Sequence, residues 1–132
     1  MYLSKLMDKE KKMFLGLAYA VSCADSDVSN KEKDTIEQYC EEMNIEKPSF
    51  FENTADIIKK ISATSNLQSK KIIVFEIVGL AIIDGNYDKV EKDLIEKIAT
   101  NFGLENDFVK NCYDIINEYL IFQDKVNNFV LN

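Results

Sequence analysis

The chain has 132 residues, 46% apolar and 30% charged, with 16 basic and 23 acidic side chains for a net charge of −7. One core-bearing domain over residues 1–132 is the expectation at this length. The acidity argues against a phosphate-tracking nucleic-acid binder and against a polybasic membrane anchor, since both need a basic face. With no histidine and with Cys23, Cys40 and Cys112 forming no CxxC pair, a structural zinc site and ordinary Ser-His or Cys-His catalysis are also disfavoured.

Residues 1 to 8 read as a short start, the first turn of helix one. That helix runs from about Lys9 to Ala24, with Phe14, Leu17, Val21 and Ala24 on one face. Lys11-Lys12 before the apolar run ending near Cys23 resembles a lipoprotein leader. Asp8 and Glu10 oppose that reading, as does a second apolar run ending just before an aspartate at Ile72 to Ile83. The stretch Asp25 to Asn30 is a polar turn. Ser29 with Glu32 then has capping-box spacing, opening a helix whose inward face is Ile36, Tyr39, Cys40 and Met43. Asn44 is placed to take a left-handed C-terminal conformation.

Pro48 marks the expected start of helix three, which carries Phe51, Thr54, Ile58 and Ile61. Ser62 to Asn66 reads as a loop, with Ser65 and Gln68 at capping spacing. The run Ile72 to Ile83 (IIVFEIVGLAII) is apolar on nearly every side, as a buried helix is. It is too short to span a bilayer, which needs about 20 residues, so no transmembrane segment is expected. After the turn Asp84 to Tyr87, Asp88 and Glu91 open helix five, with Ile95, Ile98, Ala99 and Phe102 inward and Gly103 at its end. Helix six runs from about Asn106 to Phe122, with Val109, Cys112, Ile116 and Tyr119 inward. Val126, Phe129 and Val130 suggest a last short helix. All three cysteines fall on apolar helical faces, which makes them small core residues in a reducing compartment.

The second half echoes the first. Asp25 to Ile45 aligns without a gap on Asp84 to Leu104, a spacing of 59 residues, pairing Asp25 with Asp84, Glu32 with Glu91 and Ile36 with Ile95. Two such halves, about 9–61 and 67–122, predict an all-α bundle of about seven helices built from two pseudo-twofold-related units.

Ala81, Asp84, Gly85, Asp88, Glu91, Ile95, Gly103 and Leu104 form an apolar helix running into A-x-x-D-G, a polar turn and a helix ending in G-L. In this motif the chain resembles the tellurite-resistance TerB-like family over roughly residues 9 to 122. The first copy departs from it, with Ala24-Asp25-Ser26 in place of Ala-Asp-Gly. The resemblance implies a cytoplasmic, noncatalytic module acting through a protein partner in stress response, often near membranes. It also implies a divalent cation at the acidic turns.

The residues supply their own case for that cation. Asp25, Asp27 and Glu32 in one turn, and Asp84, Asp88 and Glu91 in the other, offer hard oxygen ligands suited to Ca²⁺ or Mg²⁺. The loops are not EF-hands, because the positions that would need Gly and Glu hold Asn30 and Ile36, or Lys89 and Ile95. Capping and turn chemistry alone account for half of these residues. A different class of function would use the D-x-x-E pairs Asp34/Glu37 and Asp93/Glu96 to hold Mg²⁺ for phosphoryl hydrolysis. That enzyme would show a pocket lined by the four carboxylates, whereas an interaction module would show them in solvent. Tyr2, Tyr87 and the tail from Phe122 to Leu131 fit terminal packing or a partner surface, including that of a homodimer.

Overall fold

The structure is a computed structural model and describes residues 1–24, 30–83 and 87–132. Among the described residues the chain is all-helical: a 3₁₀ turn at Leu3–Lys5, then α1 (Asp8–Ser22), α2 (Asn30–Met43), α3 (Thr54–Thr64), α4 (Leu67–Ile82), α5 (Lys89–Asn101) and α6 (Phe108–Leu131). Helix α4 is the expected apolar helix. Ile73, Val74, Ile77, Val78, Leu80 and Ala81 are all inaccessible to water, and α1, α5, α6 and the 3₁₀ turn pack around it. Helix α3 closes the bundle against α1 and α5.

The duplicated segment is matched at both ends. Helices α2 and α5 begin 59 residues apart, at Asn30 and Lys89. At the end of α2, the Ile45 N–H donates to the Cys40 carbonyl at 3.0 Å and the Asn44 N–H to the Glu41 carbonyl at 3.1 Å. After α5, the Leu104 N–H donates to Ala99 at 3.1 Å and the Gly103 N–H to Thr100 at 3.0 Å. Both are Schellman closures, and the left-handed residue is Asn44 (φ 54°) in one and Gly103 (φ 76°) in the other. The inward faces expected for both helices are buried as well.

Four boundaries differ from expectation. The N-terminal turn is separate from α1, because Leu6 turns extended (ψ 150°) while Leu3 and Leu6 sink into the core. Pro48 lies in an irregular connection, and α3 starts at Thr54 because the Asn53 Oδ1 accepts from the Ala55 N–H at 2.9 Å. Ser62 belongs to α3, and α4 is capped by Asn66, whose Oδ1 accepts from Ser69 N–H at 2.8 Å. Ser65 is thereby released to donate its hydroxyl to Glu10 Oε2 at 2.6 Å. The last two expected helices are one continuous α6, so the described residues hold six α-helices where about seven were expected.

Glu10 is a tie that periodicity does not reveal. It is 1% exposed. Its Oε1 accepts from the Met7 N–H at 2.8 Å and from the Ser69 hydroxyl at 3.2 Å, and its Oε2 from Ser65. The start of α1 is thus pinned to the α3–α4 connection. Glu76 and Glu42 make a comparable clamp on the first residues: the Met1 ammonium donates to Glu76 Oε1 at 2.8 Å and to Glu42 Oε1 at 3.1 Å. The Leu3 N–H donates to Glu42 Oε2 at 2.9 Å.

Two stability outcomes follow from these contacts. Glu10→Ala strands an N–H and two hydroxyls at a buried site, and should cost about 3 kcal/mol, lowering the thermal midpoint by roughly 10 °C. At the two Schellman positions the signs should oppose. Gly103→Ala meets no atom within 4 Å, so its cost is the left-handed backbone alone, about 1 kcal/mol, while Asn44→Gly should stabilise by a few tenths. Denaturant unfolding of the variants measures both.

Candidate functional site

The candidate site lies where α1 gives way to α2 and α4 to α5. Asp25, Asp27, Ser29, Asp84, Gly85 and Asn86 fall outside the described residues. The described part consists of Glu32 in the first turn of α2, and of Asp88 and Glu91 at the start of α5. Asp88 is the N-cap of α5: its Oδ1 accepts from the Glu91 N–H at 2.9 Å. That is the capping role expected of it.

Capping does not dictate burial, and here both glutamates are buried. Glu32 is 3% exposed and Glu91 2%, at positions 59 residues apart. Both helices pack on α1. Two further buried oxygens adjoin the turns. The Ser22 hydroxyl at the end of α1 and the Tyr87 hydroxyl just before Asp88 have no hydrogen-bond partner among the described residues. Among those same residues, no group of three or more acidic or cysteine side chains converges closely enough to hold a metal ion. A complete ligand set therefore needs oxygens from the turns themselves.

The helical carboxylates stand differently. Asp34, Glu37 and Asp93 are exposed and Glu96 is half-buried. Asp93 Oδ2 pairs along the helix with Lys89 Nζ at 2.6 Å. None of the four lines either of two large cavities among the described residues. One of these, of about 640 Å³, lies between α1 and α3 beside Phe50 and Phe51. The other, of about 830 Å³, is a largely apolar groove between α4 and α6.

Cys40 and Cys112 are buried, as expected of core thiols. Burial pushes the Cys112 thiol up to about 11. Burial also raises that of Cys40, an effect Lys47 partly counters. Both remain protonated and unreactive near neutrality. Cys23 corrects the expectation: it is exposed, because α1 ends at Ser22 and Cys23 follows as its C-cap.

Tyr87, read from the sequence as terminal packing or a partner surface, sits just before the cap of α5. Its ring stacks on Tyr113 of α6, with centroids 5.2 Å apart. Burial, and then the nearby charge of Glu96, push its phenol up to about 12. The folded state therefore holds this proton more tightly than the unfolded chain, whose tyrosines titrate near 10. The associated stability is complete below about pH 10 and is lost as pH rises toward 12. Ultraviolet titration of phenolate should show a step near pH 12 that is missing in Tyr87→Phe.

Comparison with known proteins bears on the fold. A tellurite resistance protein from Nostoc punctiforme, known from its crystal structure, superposes with a TM-score of 0.68, covering 96% of this chain and 84% of that one at 17% sequence identity. No protein-family model and no curated protein matches the chain. At that identity the likeness establishes the architecture: this chain has the all-helical fold of a tellurite resistance protein.

Proposed function

We propose that this chain is a noncatalytic TerB-like module that holds a divalent cation, Ca²⁺ or Mg²⁺, at its duplicated acidic turns and acts through a protein partner in a cytoplasmic stress response. The proposed ligands are Asp25, Asp27, Glu32, Asp84, Asp88 and Glu91. The observation that carries the reading is the burial of Glu32 and Glu91 at equivalent positions of α2 and α5. Removing a carboxylate from water is costly unless something compensates its charge.

The sequence around Glu32 and Glu91 supplies further carboxylates, Asp25 and Asp27 before the first and Asp84 and Asp88 before the second. A cluster of that kind repels itself and favours a hard cation among its oxygens. The fold of the Nostoc protein agrees with a TerB-type module, and Asp34, Glu37 and Asp93 are exposed, as expected of an interaction surface.

Thermal unfolding of chelator-treated protein tests the reading, with Ca²⁺, Mg²⁺ or Mn²⁺ added at matched ionic strength. An ion at a hundred times its dissociation constant should stabilise the fold by about 2.7 kcal/mol, raising the midpoint by roughly 8 °C. Asp84→Asn and Glu91→Gln should abolish that rise. An unchanged midpoint with every ion at millimolar concentration would remove the cation from the proposal.

A further inference from the structure

We infer that the C-terminal half of α6 is a self-association element that pairs with the same helix of a second copy of this chain. The helix runs 24 residues, about 36 Å at 1.5 Å per residue. Its first half is anchored by Val109 and Cys112, both buried. Past the half-buried Asn117, every residue from 118 to 132 is exposed. A single helical segment of about 15 residues is marginal in water unless something packs on it.

The exposed half is not polar. Ile115, Tyr119, Phe122, Val126 and Phe129 follow the alternating four-and-three spacing of a coiled-coil seam. They are 55, 48, 63, 41 and 88% exposed. With Val130, which lies beside the seam, these side chains leave on the order of 700 Å² in water, taking about 200 Å² for each large side chain fully exposed. Monomeric proteins rarely expose a contiguous apolar patch above a few hundred Å². A standard interface needs about 800 Å² from each partner. The seam face is therefore close to one half of a standard dimer interface.

Charge selects the occupant and the orientation. Residues 118 to 132 carry Glu118, Asp124 and Lys125 and no other charged side chain. Helices that lie on anionic membranes are rich in Lys and Arg, and a chain of net charge −7 is repelled by such surfaces. Glu118 and Lys125 flank the seam on the same side, seven residues apart. Antiparallel pairing about a twofold axis sets each against its opposite in the other copy, an isologous arrangement that closes at two chains. Parallel pairing would set them against Gln123 and Val130, which carry no charge. The seam also runs on from the groove between α4 and α6, which Ile115 and Tyr119 line. The covered apolar surface is thereby continuous with the body of each copy.

Light scattering after size exclusion tests the inference on the full chain, loaded from 10 to 200 µM. The expected mass is twice 15.2 kDa. The double substitution Phe122→Glu, Phe129→Glu, at two exposed positions, should return the mass to that of one chain, and Leu67→Gln, an exposed apolar position on α4, should leave the dimer intact. Lys125→Glu should weaken dimerisation roughly three-fold or more, and adding Glu118→Lys should restore it. A wild-type monomer across the whole range would overturn the inference. So would a double variant that stays dimeric, or wild-type monomer that sediments with phosphatidylglycerol vesicles while the double variant does not. Indifference to both charge changes would overturn the antiparallel pairing.

Discussion

Helix α4 has almost no face to give to water, and the rest of the chain answers to that constraint. Nine of its sixteen residues are buried. Burial of one large aliphatic side chain is worth about 2 kcal/mol, so a helix with this many can settle only where other helices surround it. Helices α1, α5 and α6 and the 3₁₀ turn supply the wall, and the amphipathic faces of α2 and α5 complete the cluster through Ile36, Met43, Ile95 and Ile98. The polar ties come second and decide register. Glu10 holds the start of α1 to the α3–α4 connection, and the Tyr39 hydroxyl donates to the Glu76 carbonyl of α4 at 3.2 Å. Each tie is a buried polar group whose partner lies far along the chain, which makes it costly to misplace.

Most of the architecture was legible because it depends on periodicity and local chemistry. The apolar faces of α2 and α5, the left-handed Asn44 and Gly103, and the buried α4 all follow from spacing or from one residue's conformational range. The errors share a cause: two local signals competed and tertiary context chose between them. Pro48 can open a helix, but Asn53 has the side chain that caps one, and Phe51 between them tilts against Tyr19 with ring centroids 5.4 Å apart. Ser65 and Asn66 are adjacent cap candidates, and the buried Glu10 takes the serine. The break assumed after Phe122 had no glycine or proline to enforce it, and α6 runs through. Of the candidate site, the capping role of Asp88 was readable from spacing. The burial of Glu32 and Glu91 was not, because a glutamate in the first turn of a helix is ordinarily a surface residue and nothing local announces what packs over it.

The proposed cation site and the exposed half of α6 are distinct features, and one contact ties the residue before the cap of α5 to the anchored half of α6. Tyr87 immediately precedes the cap of α5, and its ring lies on that of Tyr113, in the second turn of α6. Val109 and Cys112 of α6 and Ile95, Ile98 and Ala99 of α5 belong to the same buried core. A charge placed among the oxygens near Glu91 acts on Tyr87 directly, since Glu91 already adds to the burial and the Glu96 charge that shift its phenol. The stacked pair is a direct contact between the residue preceding the cap of α5 and α6. Two sites biasing one packed element is the condition under which ligand binding at one alters association at the other.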